Sequence, residues 1–489
     1  MTSRGAGGTV TVLYWQAAST LNNYMSGGTK ETDAAAIFLE PLATEIPTVQ
    51  NGGVSEDLTS ITWHLKEGIL WSDGTPLTAA DVVFTAEYCM HPDTGCASIS
   101  SFDGVASVEA VDDLTVLITF EGPQPFPYGP FVGPATNVLQ AAQFADCIGA
   151  AAVGCTEQNF APIGTGPYKV KEFRPNDVTI FEINENYRDP NRPFFSEVVL
   201  KGGGDAASAA RAVLETGEGD YAWNLQVEPE ILNQMELAGI GKVHAAFATS
   251  TERLVIQQAN PDPALGDQRA EPGTVHPAFS DPAVARALSM AIDRATITRV
   301  GYGPFGQPAC NVIMGPPAFV STANESCQVQ DIDGANALLD EAGWVLGADG
   351  VRAKDGVRLS FLYQTSTNSV RQTTQALLKQ WWAEIGVETE LRNIDASVFF
   401  GSDVASPDTY GKFYADIEMY TSSPNGTDLQ AWMGNHICEN ANGESNNWLG
   451  GNQSRYCDEE YDAIFAELQA ESDPDARAEL VKQLNDKLV

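Results

Sequence analysis

Basic residues are scarce in this chain. Its 489 residues hold 27 Lys and Arg against 65 Asp and Glu, with 5 His, for a formal net charge of −38. A chain this acidic has no general basic face for a phosphate backbone, which argues against nucleic-acid binding. Adhesion to an anionic membrane through a basic patch is disfavoured for the same reason. Long apolar runs are also missing. No stretch of about 18 apolar residues exists, so no transmembrane helix is expected. The histidines form no H-E-x-x-H, and none stands beside a G-x-S-x-G, so support for hydrolytic chemistry is thin. Lys201-Gly202-Gly203-Gly204-Asp205 lacks the following Lys-Ser/Thr of a phosphate loop and reads as a strand-to-helix turn. No Cys couple has C-x-x-C or zinc-finger spacing. His64, His91, His244, His276 and His436 are dispersed. They and the many acids read as solvated charge, so no metal and no cofactor is expected, with calcium on an acidic loop left open.

What is present is an ordinary folded composition, 43% hydrophobic and 19% charged, which rules out disorder along the whole chain. The length is about three typical domains, so two or three lobes with substantial cores are expected. The acidity reads as a solubility adaptation, of the kind a salty habitat calls for; attraction for cationic ligands is the sharper alternative. Eight cysteines fall into four local couples: Cys89 and Cys96, Cys147 and Cys155, Cys310 and Cys327, Cys438 and Cys457. An even count in local couples reads as four disulfides, each closing a polar loop and each contributing about 3 kcal/mol in the entropy model. Disulfides persist outside the cytosol, which places the protein on the oxidising side of a membrane. The opening residues from Met1 to Gly8 read as a short flexible leader, with any signal segment removed ahead of it.

Strand and helix patterns alternate throughout. Strand 9–15 precedes an acid-started helix at Glu31–Leu39, and strand 61–65 leads to a turn at Ser72–Pro76. Thr78 and Asp81 have the spacing of a capping box. Two hairpins are expected, 105–120 around Asp112-Asp113 and 168–183 around Arg174–Asp177. Val198–Leu200, helix 205–215 and Tyr221–Trp223 form a β-α-β unit. Strand 253–257 is a candidate crossover ahead of a break near Asn260–Pro263. A second α/β set follows: helices 282–300 and 334–342, strand 358–364, helix 369–385, and strands 387–394 and 415–421. A helix pair, 459–470 and 474–488, ends the chain.

These segments resemble the extracytoplasmic solute-binding proteins of ATP-driven importers, in the large oligopeptide/dipeptide/nickel-binding family. The stretch Leu65–Phe84 is close to the family signature. Gly164-Thr165-Gly166-Pro167-Tyr168, Asn184-Glu185-Asn186-Tyr187, Asp281–Arg294 and Leu338–Trp344 are further landmarks in the family's order. These landmarks are mostly structural; Arg286, Asp293 and Arg294 read as helix-surface charges. The resemblance implies an α/β, two-lobed periplasmic-binding-protein fold with an extra subdomain inserted in the first lobe. Residues 1–44 and 166–260 are assigned to the first lobe, 45–165 to the inserted subdomain, and 261–489 to the second lobe. It also implies a C-terminal strand returning to the first lobe, and the sequence as given ends at Val489 before one.

In open α/β sheets ligands sit at the carboxyl ends of strands. That logic selects Tyr14, Trp15 and Gln16 after the first strand, and Trp223, Asn224 and Gln226 after the β-α-β unit. In the second lobe it selects Tyr363 and Gln364, then Tyr420 and Thr421. Each end joins an aromatic ring to an amide or hydroxyl, a lining for a polar solute with apolar faces. One departure matters. Peptide binders of this family carry a Trp and then an Asp just beyond the last second-lobe strand, and that Asp pairs with the peptide's α-amine. Here the run from Tyr420 is Thr421-Ser422-Ser423-Pro424-Asn425-Gly426-Thr427-Asp428, with no acid before Asp428.

The resemblance therefore implies a monomeric binding protein without catalysis. It captures an oligopeptide or similar polar solute between its lobes and presents it to a membrane permease. It is periplasmic or at the cell surface, secreted or lipid-anchored. An oligosaccharide is the alternative solute, a sensor or chaperone role the alternative use of closure, and a cleft enzyme such as a glycoside hydrolase the alternative class.

Overall fold

The computed structural model describes residues 3–26, 28–401, 403–424 and 428–489. In chain order the strands are β1 (Thr9–Leu13), β2 (Ser60–His64), β3 (Val105–Asp112), β4 (Thr115–Phe120), β5 (Tyr168–Arg174), β6 (Val178–Ile183), β7 (Glu197–Lys201) and β8 (Tyr221–Ala222). They continue as β9 (Thr251–Ile256), β10 (Val345–Leu346), β11 (Arg352–Lys354), β12 (Val357–Arg358), β13 (Ser360–Ser366), β14 (Glu388–Ile394) and β15 (Ile417–Ser422).

The first sheet has the order β5-β6-β7-β1-β8. Its β5-β6-β7 side is antiparallel, while β1 runs parallel to both β7 and β8. The β7-helix-β8 unit therefore straddles β1, and the glycine run after Lys201 is the expected turn. Asp205 ends it by accepting from the Ser208 N–H and capping the helix Ala206–Arg211. β2, β4 and β3 form a separate antiparallel sheet, packed with the helix Ala79–Met90 around a core that includes Trp71, Tyr88 and Phe144. Thr78 and Asp81 form the expected capping box. Asp81 has a second task, because its other oxygen accepts from the Ala141 N–H at 2.9 Å and so ties the helix start to a distant loop.

The third sheet has the order β14-β13-β15-β9. β13 is parallel to both neighbours, and β9 joins antiparallel along its whole length, from Thr251 opposite Ser422 to Ile256 opposite Ile417. The candidate crossover strand is thus hydrogen-bonded into the second-lobe sheet, so the expected first-lobe span 166–260 does not hold for residues 251–256. The small sheet β10-β11-β12 is antiparallel. The helix expected over 282–300 is broken into Pro282–Met290, Arg294–Ile297 and a wider turn at Thr298–Tyr302. The break has a local cause. Asp293 accepts from the Thr296 N–H, so it starts a new helix in place of continuing the old one. Arg294, expected on a surface, is partly buried and donates to the carbonyls of Ser289 and Cys327. The terminal helices span Glu459–Ala470 and Pro474–Leu488.

All four cysteine couples are disulfides, Cys89–Cys96, Cys147–Cys155, Cys310–Cys327 and Cys438–Cys457. Among the described residues no helix is long and apolar enough to cross a membrane.

Candidate functional site: the junction between the lobes

The carboxyl end of β1 runs straight into the junction. Tyr14, Trp15 and Gln16 are all buried. The Tyr14 ring stacks on Trp223 with centroids 4.3 Å apart and planes 12° apart. Its hydroxyl donates to Asp33 Oδ2 at 2.5 Å. Burial, then the Asp33 charge, push the phenol far above its ordinary range, so it stays a donor. Trp15 Nε1 donates to the Asn224 carbonyl at 3.1 Å, and Asn224 is held at φ 52°, which turns the chain there. The Trp15 ring belongs to an apolar cluster containing Leu13 and Leu214 of the first sheet's layer, with Ala396 and the partly buried Phe400 from beyond β14. That cluster spans both lobes.

Polar contacts reinforce it. Gln226 Nε2 donates to Glu252 Oε2 at 2.7 Å, and Gln226 Oε1 accepts from Asn368 Nδ2 at 3.0 Å. Glu252 lies on β9 and also receives Arg371 Nε on Oε1 at 2.9 Å and the Thr421 hydroxyl on Oε2 at 2.8 Å. Arg371 Nη1 is occupied by the Ser366 hydroxyl at 2.6 Å. Asn368 caps the helix Ser369–Glu384, and Arg371 sits on that helix's buried stripe with Val370, Thr374 and Leu378. A first-lobe segment, 223–228, is therefore gripped by the end of one second-lobe helix and one strand.

The structure gathers Tyr14, Trp15, Gln226, Trp223, Asn224 and Thr421 at this junction. It does not bring Tyr363 and Gln364 to an open wall. Tyr363 is fully buried among second-lobe core residues, its hydroxyl on Met419 Sδ at 2.9 Å. Gln364 Nε2 donates to buried Glu418 Oε1 at 2.5 Å. The reason is that β13 is a central parallel strand covered on both faces, so its end is core. Tyr420 is buried against Tyr410, with Arg253 over its ring at 5.6 Å from the centroid. Residues 425–427 of the run beyond β15 lie outside the described residues. Asp428 is paired with Arg477 of the last helix at 2.7 Å, which commits it to structure.

A pocket beside the junction was not foreseen. Ser26 of the first lobe lines it together with Gly401, Asp403, Tyr410, Lys412 and Trp448 of the second. Lys412 is almost buried, with Nζ 3.5 Å from the Trp448 ring centroid, and forms no ion pair among the described residues. Burial holds its ammonium below the ordinary lysine range. Near Ser26 in sequence, Glu31 is fully buried; its Oε1 accepts from Ser19 N and Oγ, each at 2.9 Å, and lies 3.2 Å from Lys30 Nζ. These residues are scattered singly in the sequence. The one available signal was Arg371, a charge on an apolar helical stripe.

The inserted subdomain also meets the second lobe. Ser100 Oγ donates to Asn435 Oδ1 at 2.8 Å, and Gln430 Nε2 donates to Gln124 Oε1 at 3.2 Å.

Known proteins share this architecture. The family model of bacterial extracellular solute-binding proteins, family 5 Middle, matches residues 41–439. The glutathione-binding protein GsiB of Shigella boydii is 24% identical over 436 residues, covering 88% of this chain and 76% of the relative; that of Escherichia coli K12 gives the same values. Among solved structures, the oligopeptide-binding protein AppA of Bacillus subtilis, in complex with a nonapeptide, superposes with a TM-score of 0.79 at 22% identity. The match covers 99% of this chain and 92% of that one. The murein tripeptide binding protein MppA of Escherichia coli gives 0.79 at 19% identity, covering 100% and 91%. With a family match over most of its length and the two-lobed fold around an interlobe junction, the chain belongs to the bacterial extracellular solute-binding proteins of family 5.

Proposed function

We propose that this protein captures a small peptide or a peptide-like conjugate between its lobes, outside the cytosol, and delivers it to the membrane permease of an ATP-driven importer. It acts by binding and closure, as a monomer and without catalysis. The observation that supports this reading best is the junction itself. Gln226, held by Glu252 and Asn368, couples the lobes directly, and the stacked Tyr14 and Trp223 stand at the same junction. A solute touching both lobes favours the closed arrangement over the open one. The relatives named for glutathione and for oligopeptides support a solute of the peptide class. The test is a thermal-shift panel of short peptides, glutathione and oligosaccharides, with native mass spectrometry of the complexes. A solute present at 100 times its Kd adds about 2.7 kcal/mol of stability, a clear melting shift. Shifts with peptides or glutathione are expected; shifts with oligosaccharides alone would overturn the peptide reading.

A further inference from the structure

The inserted subdomain meets the second lobe through contacts that leave one carboxyl oxygen without a partner. Ser100 Oγ donates to Asn435 Oδ1, and Gln430 Nε2 donates to Gln124 Oε1. Gly95 lies so close to residues 446–447 that a Cβ there would stand 2.7 Å from Asn447 Nδ2. Asp103 ends the short helix Ile99–Phe102 that carries Ser100. Its Oδ2 is buried with no donor among the described residues. A Cβ on Gly434, the last residue of the second-lobe helix Gln430–Gly434, would stand 3.0 Å from that oxygen. The charged group that acts on Asp103 is Glu439, also of the second lobe and of the same sign. Burial first, then Glu439, push the Asp103 carboxyl up to about 7. The other side chains at this contact carry no charge. Asn435 and Phe465 are neutral on the second lobe, as are Ser100 and Gln124 on the subdomain. Burial, then the Arg253 charge, push the His436 imidazole down to about 3, so it too is neutral. Gly434 and Glu439 belong to the second lobe, so closure covers Oδ2 on that side. When the lobes part, water reaches the carboxyl and it falls back toward the ordinary carboxylate range.

We propose that this contact is a proton-operated latch on lobe closure: Asp103 takes up a proton as the subdomain and the second lobe come together, and the contact loosens where that proton is lost. A buried carboxylate without a donor is costly, and the neutral acid costs far less. The closed arrangement therefore holds the proton more tightly than the open one. Its advantage is complete below about pH 4, shrinks as pH rises, and levels off above about pH 7, where Asp103 is ionised in both arrangements. Across that window the ratio of closed to open molecules should fall by about tenfold or more. Acid surroundings thus favour capture and neutral ones favour release, whatever the class of solute.

The experiment uses the full chain without solute, as wild type, Asp103→Asn and Glu439→Gln. Hydrogen exchange follows the backbone amides of residues 99–103 and 434–437, and solution scattering follows the overall dimensions, in steps from pH 5 to pH 8. Wild type and Asp103→Asn should differ least at pH 5. At pH 7.5 the wild type should be the more open, with those amides exchanging faster than in Asp103→Asn by about tenfold or more. Glu439 is exposed, so Glu439→Gln spares the core. That variant should fall between the other two at pH 7.5, because ionised Asp103 then meets no like charge. Wild type and Asp103→Asn that expand together as pH rises would overturn the proposal, since repulsion among surface acids then parts the lobes. Equal exchange in the two chains at every pH would overturn it too, since water or a cation then serves Asp103 in the closed arrangement.

Discussion

Two buried carboxylates of this protein, Glu252 and Glu31, are built to opposite plans. Both oxygens of Glu252 are engaged, by Arg371, Gln226 and Thr421, from three separate segments. Glu31 is at least as deeply buried, yet one oxygen carries Ser19 and Lys30 and the other carries nothing among the described residues. A saturated pair resists change, because every partner is already in place and any rearrangement exposes an unpaired charge. A half-used carboxylate keeps a position open for a donor from outside. The difference separates a saturated carboxylate from a half-satisfied one within one junction.

The largest effect should come from breaking the clamp. Arg371→Met leaves Glu252 buried with no cation, and removal of one member of a buried pair costs about 3–5 kcal/mol. Denaturant unfolding should show that loss as a lower midpoint. Arg371→Met combined with Glu252→Met should recover most of it, because two apolar side chains replace the pair. If the single and double variants lose equally, the guanidinium acts through Ser366 and packing, and the contrast with Glu31 is weaker than drawn.

A third carboxylate sharpens the comparison by having no cation partner among the described residues. Asp103 sits where the inserted subdomain meets the second lobe, and a Cβ on Gly434 would stand 3.0 Å from its Oδ2. That oxygen has no donor among the described residues. Burial, and next the Glu439 charge, push its carboxyl up to about 7. The folded value is raised above the unfolded one, so the folded state holds the extra proton. The contribution is complete at acid pH and is lost as pH rises toward and through about 7. Asp103→Asn should come closest to the wild type below about pH 4 and exceed it at pH 8, by on the order of 2 kcal/mol or more. Equal pH profiles would mean that water or a cation already serves Asp103.

Much of the fold was legible because it is local. The capping box at Thr78 and Asp81, both hairpins, the Asp205 turn and the terminal helices each depend on residues a few positions apart. The stacking of Tyr14 on Trp223 lay within reach, since both are strand ends of one sheet. The clamp was not legible, because Glu252 and Arg371 are separated by 119 positions, and a charge on the helix's buried stripe at Arg371 does not name its partner. Tyr363 misled for a related reason. A strand-end aromatic looks the same whether its strand is an edge or is covered on both faces, and only the sheet order β14-β13-β15-β9 decides. Helix 282–300 failed at one residue, where Asp293 stands as a cap inside an otherwise continuous pattern.

The smallest effect expected is the most informative about closure. Gln226 is the first-lobe member of the Glu252 network, and it joins the lobes through one donated and one accepted hydrogen bond. Gln226→Ala leaves Glu252 its arginine and Thr421, so the second lobe keeps its own saturation. The loss should fall on the closed arrangement, about 1 kcal/mol for neutral and charge-assisted bonds that water partly replaces. In solution scattering the variant should be more open without solute than the wild type. Its solute affinity should fall about fivefold, because binding must then supply the closure that Gln226 supplied. Unchanged scattering with unchanged affinity would mean that the Trp15 cluster with Ala396 and Phe400 holds the lobes alone, and that the polar clamp stabilises the second lobe only.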